Sequence, residues 1–407
     1  MTTLACRVCP GVVAEFFDFG RQPLSDAFRW PAEESPEFFH HLAVGVCDRC
    51  ELVQLMSDVP PELMFHQDYP YLSSGSAGMA RHFTEFAERV LAGLSRRHDP
   101  LVVEIGCNDG VLLSAIARAG VRHVGVEPSG GVAERARAKG VSVRTQFFDE
   151  PTAREILATD GPADLVYAAN TLCHIADLGS ILRGVRELLA PDGVLVFEDP
   201  YFADIVERTS FDQIYDEHVF FFTVTSVRAL VRPYGLELVE AERLPVHGGE
   251  LRYTVARQGT RPVSPAITEL LAGETAAGLT RERTLAEFGR RIRRNRTELL
   301  ALLRELRSQG RTVAGYGATA KSATVLNYCG IGPELLSFVC DTSPTKQGRL
   351  TPGSHIPVRP PAEFAERGPD FALLLAWNHA EEILAKEQDF RRRGGRWIHY
   401  VPTVRVS

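Results

Sequence analysis

The sequence predicts an α/β chain in three parts: a small cysteine-stapled module, a parallel sheet covered by helices, and a second, smaller α/β unit. Three observations predict it. Cys6-x-x-Cys9 and Cys47-x-x-Cys50 pair four of the eight cysteines near the amino terminus. From residue 101 onward, short apolar β-rich runs alternate with helical stretches, the rhythm of strands covered on both faces. That rhythm stops at a long, charged, amphipathic stretch and begins again after Gly310. At 407 residues, 44% of them apolar, the chain has enough hydrophobic matter for two to three cores.

The first segment, 1–75, contains runs such as VVAEFFDFG and HHLAVGVC that read as short strands. Its two C-x-x-C pairs stand 37 residues apart, each able to grip one side of a tetrahedron, which predicts a closed, structural four-thiolate zinc site. Two redox pairs are the alternative, weakened because neither pair occupies the βα turn of a thioredoxin-like unit. Cys107, Cys173, Cys329 and Cys340 lie in or beside apolar runs and read as packing residues.

The second segment, 76–260, strings together LVVEIG (101–106), HVGVE (123–127), VSVRT (141–145), ADLVYAAN (163–170) and GVLVFEDP (193–200). GLELVEAERL and ELRYTVARQ follow closely enough to pair as an antiparallel edge. Between 261 and 309 the pattern is that of one long helix, with Leu285, Phe288, Ile292, Leu299, Leu302 and Leu306 on its inner face. Arg290, Arg291, Arg293, Arg294 and Arg296 read as its solvated side rather than as a phosphate site, and Gly310 as its cap. The last segment, 310–407, opens with strand, glycine turn and helix (RTVAGYGATAKSATVLNYC), followed by strands LLSFVCD, FALLLAWN and WIHYVP.

Charge narrows the partners. A formal net charge of −7 lacks the basic excess that binds a phosphate backbone, so nucleic acid is disfavoured. No apolar run has the length of a membrane helix, and MTTLACRVCP has no secretory pattern, so a cytoplasmic location is expected.

Glu104-Ile-Gly106-Cys-Asn108-Asp109-Gly110 follows a strand and precedes a helix, a turn that brings backbone N–H groups close to a ligand. Glu127 ends the next strand, where a carboxylate can accept ribose hydroxyls. A dinucleotide is the rival ligand. The turn resembles the first motif of class I methyltransferases, which implies S-adenosylmethionine, with Glu104 or Asp109 near the methionine moiety and Gln146 and Phe147 flanking the adenine. Asn170-Thr-Leu-Cys-His174 ends the strand that faces such a donor. Glu198-Asp-Pro-Tyr201, a lookalike of the D/N-P-P-Y box of nucleic-acid and amine methyltransferases, follows a different strand and reads as a turn. In Phe211–Phe222, Tyr215, Glu217 and His218 fall within four residues, an arrangement suited to general-base chemistry in which His takes a proton, Glu orients it and Tyr holds an oxygen.

In this order, the paired cysteines, E-x-G-x-N-D-G, A-N-x-x-x-H, Y-D-E-H and G-Y-G-A-x-x-K resemble the deoxysugar C-methyltransferases of antibiotic biosynthesis over nearly the whole chain. The resemblance implies a class I methyltransferase sheet between a zinc module and a Rossmann-like unit. It implies transfer of methyl from S-adenosylmethionine to the carbon beside the ketone of a dTDP-4-keto-6-deoxy sugar, carbon 3 or carbon 5. By the same resemblance His218 is the base, Glu217 its orienting partner, Tyr215 and Tyr69 substrate-contacting phenols, and His174 a second imidazole; of Tyr69 and Tyr71 the former is favoured for this role, Tyr71 remaining a substrate contact. Gly315-Tyr316-Gly-Ala-Thr-Ala-Lys321-Ser322 is expected to hold a diphosphate, with Asp341, Lys346, Asn378 and the Pro352-Gly353 turn nearby. Another small carbon acid, an RNA acceptor gripped by the zinc module, or a non-catalytic scaffold are the competing readings; the acidic charge argues against RNA. Monomer and homodimer are equally compatible.

Overall fold

The computed structural model describes residues 2–65, 69 and 71–407. Three sheets organise them. The amino-terminal sheet is antiparallel and runs Thr3–Ala5, Val12–Pro23, Phe39–Cys47, Val53–Leu55 and, from far along the chain, Phe220–Phe221. The Leu55 N–H reinforces this last pairing by donating to the Val219 carbonyl at 2.9 Å.

The central sheet runs, edge to edge, Leu236–Leu244, Glu250–Arg257, Leu189–Pro200, Ala163–Ala169, Leu101–Ile105, Arg122–Val126 and Val143–Arg144. Five strands are parallel and the first two form the antiparallel edge. Val102, Val103, Val166 and Leu195 are wholly buried, as expected of strands sandwiched between helices. The carboxyl ends of these strands share one edge, and the order reverses between Leu101–Ile105 and Ala163–Ala169, the place where α/β sheets hold ligands.

The third sheet runs Val358–Arg359, Val339–Cys340, Val313–Tyr316, Phe371–Leu374, Arg396–His399 and Arg405–Val406, parallel except for its final pair.

The stretch expected as one helix between 261 and 309 is two, Pro265–Ala277 and Glu282–Ser308. Gly278, at φ +54°, turns the chain left-handed and ends the first of them. Glu274 in its last turn is buried; its carboxylate accepts from Tyr201 Oη at 2.9 Å and from the Val224 and Thr225 N–H groups at 2.7 and 2.9 Å, so the break serves to cap another helix, Val224–Val231. On the long helix Leu303, not Leu302, joins Leu299 and Leu306 in the core. Arg290, Arg293, Arg294 and Arg296 are exposed, with Arg293 over Phe17 and Arg296 over Tyr328, whereas Arg291 is half-buried and donates to the Val206 carbonyl at 2.6 Å, so four of the five arginines form the solvated face. Gly310, at φ +70°, terminates it.

The segment after the fifth central strand is the wedge that joins all three parts. Asp212 accepts from Trp377 Nε1 at 2.6 Å and Tyr400 Oη at 2.8 Å, and the Ile214 carbonyl accepts from Thr324 Oγ1 at 2.8 Å, which ties the wedge to the carboxy-terminal unit. Asp216 accepts from the Ser25 N–H at 3.1 Å on the other side.

Candidate active site

A cleft of about 620 Å³ opens at the carboxyl edge of the central sheet and is lined from all three parts of the chain. That volume suits a small organic ligand.

One wall is the first glycine turn. Gly106 lies at φ +68° with Thr171 so close that a side chain here would strike it at 2.5 Å. Glu127 accepts from the Asn108 N–H at 3.0 Å through Oε2 and from the Ser129 N–H at 2.8 Å through Oε1, which fixes the turn and holds the carboxylate at the cleft. Burial pushes this carboxyl up while those N–H groups pull it down, leaving it above the usual range. Asn108, Phe147, Phe148 and Asn170 also line this wall.

Several residues expected here face elsewhere. Glu104 is outside the cleft lining, its Oε2 without a partner among the described residues and its carboxyl pushed well up by burial and by the Glu127 and Asp109 charges. Asp109 is spent on Lys139 Nζ at 2.7 Å and the Ser74 N–H at 3.3 Å. Gly110 starts the helix and packs on Ala136 and Val141. The Gln146 amide turns away to Thr152 and Glu155, so aromatic Phe147 and Phe148 alone form the flank assigned to that pair.

The floor carries the imidazoles. His218 donates from Nδ1 to the Gln213 carbonyl at 2.8 Å, which leaves the lone pair on Nε2, where Tyr215 Oη donates at 2.9 Å. The orientation expected from Glu217 therefore comes from a backbone carbonyl. Glu217 instead accepts from Tyr69 Oη at 3.1 Å, since adjacent residues of a turn point in different directions. Burial and the neighbouring Asp26 and Asp216 carboxylates push Glu217 well above the usual carboxyl range. His174 stacks on Phe65 and lies 5.2 Å from the His218 ring. Burial lowers His174 to about 3, and burial with His174 and Lys321 nearby holds His218 well below the usual imidazole range.

The far wall belongs to the carboxy-terminal unit. Lys321, Asp341, Lys346 and Asn378 reach the cleft, and Tyr71 faces it from the amino-terminal side. Asp341 accepts from the Ala318 and Ser343 N–H groups, both at 2.7 Å. Lys321 Nζ donates to the His247 carbonyl at 3.2 Å. Lys346 pairs with Asp26 at 2.9 Å; burial opposes its charge, but Asp26 and Asp341 prevail and hold its pKa above the usual value. Tyr316, Ser322 and the Pro352-Gly353 turn are not part of the lining. Alternation along Val313–Tyr316 sends Tyr316 into the core against Phe364 and Trp397, its hydroxyl on Glu387 at 2.7 Å. Ser322 is buried and hydrogen-bonds Thr319 at its helix start, and Gly353 packs on Pro23 and Asn327.

Outside the cleft lining, Cys6, Cys9, Cys47 and Cys50 bring four sulfurs within 4.8 Å of one another, with the Cys6–Cys50 and Cys9–Cys47 pairs 3.7 and 3.5 Å apart. A tetrahedron with Zn–S bonds of about 2.3 Å has edges of about 3.8 Å, so the donor set fits zinc with no open position.

Comparison with known proteins decides the family. The C-methyltransferase NovU of Streptomyces niveus is 36% identical over 98% of this chain and 96% of that protein. The chain belongs to the C-methyltransferase family. Family matches follow the three parts: a zinc binding domain over 6–65, a methyltransferase domain over 79–241 and a C-methyltransferase C-terminal domain over 245–402. The ubiquinone biosynthesis O-methyltransferase of Azorhizobium caulinodans is 33% identical, over 29% of this chain and 46% of that protein. Among solved structures, the CcbJ methyltransferase of Streptomyces caelestis overlays 48% of this chain and 98% of that one at 17% identity and a TM-score of 0.36.

This C-methyltransferase therefore takes its methyl from S-adenosylmethionine and carries a structural zinc module. Gly106, Glu127 and the Phe147–Phe148 wall are the residues on this chain that fit the donor. Asp26, Phe65, His247 and His379 also line the cleft and were not singled out by sequence. His247 alone had a local signal, since it precedes Gly248-Gly249 in the turn between two strands, where both glycines take positive φ. Among the described residues, no helix is long and apolar enough to cross a membrane.

Proposed function

We propose that this C-methyltransferase methylates the carbon beside the ketone of a dTDP-4-keto-6-deoxy sugar, at carbon 3 or carbon 5, in cytoplasmic antibiotic biosynthesis, with His218 as proton acceptor. The observation that carries the proposal is the tautomer of His218. With Nδ1–H fixed on the Gln213 carbonyl, Nε2 is the basic nitrogen, and it stands at the cleft between the donor wall and the carboxy-terminal wall.

A substrate C–H that reaches Nε2 displaces Tyr215 Oη, which is then free to donate to the oxygen on which charge develops. Burial and the nearby Glu217 charge push the Tyr215 phenol well up, so it remains a donor rather than becoming a phenolate. Tyr69, raised by burial and Glu217, is a second phenolic donor from the opposite side. S-adenosylmethionine supplies the electrophilic methyl. Lys321 supports a diphosphate on the far wall. Its ammonium donates to a carbonyl and, in its own neighbourhood, Asp212 is already held by Trp377 and Tyr400.

Calorimetric titration of thymidine diphosphate into protein saturated with S-adenosylhomocysteine tests the substrate class, with uridine diphosphate as comparison. Micromolar binding that prefers thymidine is expected; no binding by protein that still binds S-adenosylhomocysteine overturns the sugar-nucleotide reading. For the base, His218→Ala is expected to lower turnover by about a hundredfold or more while affinity for both ligands is kept. A variant that retains more than about a tenth of the wild-type rate removes His218 from this role.

A further inference from the structure

We propose that Cys173, His174 and His218 form a second, soft-metal site in the cleft floor, and that Zn²⁺ held there inhibits the enzyme by occupying the imidazole of His218. Among the described residues, two clusters bring three or more His, Cys, Asp or Glu ligand atoms within 4.8 Å of one another: the four-cysteine cluster and this one. A thiol and two imidazoles are a donor set for zinc, with Zn–S of about 2.3 Å and Zn–N of about 2.0–2.1 Å.

Three further features fit a ligand. His174 Nε2 is inaccessible to solvent and has no hydrogen-bond partner among the described residues, although the residue itself borders the cleft. His218 already donates its Nδ1–H to a backbone carbonyl, the outer-shell bond that metal-bound histidines make with their other nitrogen. Cys173 is fully buried beside the equally buried Asp199, whose Oδ1 accepts the Cys173 N–H at 3.4 Å and whose Oδ2 has no partner among the described residues.

Binding replaces one proton: the Cys173 S–H bond breaks, a Zn–S bond forms, and the proton leaves to Asp199 or to water. At His218 the metal takes Nε2 and Tyr215 loses its acceptor. The site is a separate claim from the sugar reading, but the inhibition rests on His218 being the proton acceptor, and the test reads the two apart.

Protein carrying its structural zinc is titrated with Zn²⁺, and in parallel with Co²⁺, in chelator-free buffer. Expected are a second equivalent per chain, a thiolate-to-cobalt charge-transfer band, and turnover that falls with occupancy. Cys173→Ser and His174→Gln are each expected to bind the second equivalent at least about tenfold more weakly, while retained structural zinc and S-adenosylhomocysteine binding show that they fold. A single equivalent in the wild type, or a second one bound equally well by both variants, overturns the site. A second equivalent that is weakened in Cys173→Ser and in His218→Gln yet spares turnover upholds the site, overturns the inhibition and removes His218 as proton acceptor.

Discussion

The two glycine turns that face each other across the cleft are built by one device and differ in the charges that flank them. In each, an acidic residue at the end of the second strand accepts one N–H from the turn and one from its own loop two residues on. Glu127 does so for Asn108 and Ser129, and Asp341 for Ala318 and Ser343. Each carboxylate keeps lone pairs for a ligand hydroxyl. Around the first turn stand Glu104, Glu127 and the Asp109–Lys139 pair; around the second stand Lys321 and the Asp26–Lys346 pair. On the proposed function, the first turn receives the sulfonium donor and the second, through Lys321, a diphosphate. On that reading the same backbone geometry serves opposite ligands, and the difference lies in the side chains each motif carries, Glu104 and Asp109 in the first and Lys321 in the second.

The strongest way to break the comparison is to add one methyl to each turn. Gly106→Ala places Cβ against Thr171 at φ +68°, and Gly317→Ala places it against Ala376 at φ +92°. A left-handed alanine costs about 1–2 kcal/mol and overpacking about 1–3 kcal/mol more. Gly106→Ala should abolish S-adenosylhomocysteine binding in calorimetry, whereas Gly317→Ala should spare it and weaken thymidine diphosphate. Since the atoms in the way at Gly106 belong to the Thr171 side chain, Thr171→Ala should restore part of the loss in the double variant. Absence of any rescue would show that backbone strain, not the clash, sets the requirement for glycine.

A smaller effect is expected from the acids. Glu127→Gln keeps the shape but replaces a charged acceptor of two N–H bonds, each worth about 1.5–3 kcal/mol, and should raise the Kd of S-adenosylhomocysteine roughly tenfold or more. Asp341→Asn should do the same for thymidine diphosphate and leave S-adenosylhomocysteine unchanged. If Asp341→Asn shifts both affinities equally, the turns are coupled and the comparison fails as stated.

Features that rest on neighbours in the chain were legible in the sequence. The C-x-x-C pairs, the parallel strands, both glycine turns and the antiparallel edge each declare themselves within a few residues. Direction and distance were not legible. Tyr316 belongs to the glycine-turn motif, yet strand alternation buries it; Glu217 adjoins His218, yet faces Tyr69; Gln146 adjoins Phe147, yet faces Thr152. Asp26 meets Lys346 across 320 positions, and Phe220–Phe221 completes a sheet whose other strands end at Leu55. No local pattern announces such pairs, because tertiary packing alone brings them together.

The smallest expected effect lies between the turns, in the imidazoles, and it concerns pH. A solvated histidine titrates near 6.5 and would give kcat/KM an acid limb centred there. His174 is lowered to about 3 by burial, and His218 is held well below 6.5 by burial and by the adjoining His174 and Lys321. Both are therefore neutral in the folded protein from pH 7 down through 6, and kcat/KM should change by less than about twofold over that interval. Stability behaves differently, because the unfolded chain takes up these protons near 6.5 while the folded chain does not. The contribution is present above that pH and is lost as pH falls toward 3, so Tm should decline with acid before kcat/KM does. A kcat/KM limb near 6.5 that disappears in His218→Ala would place that imidazole in water and undo the dry floor between the two turns.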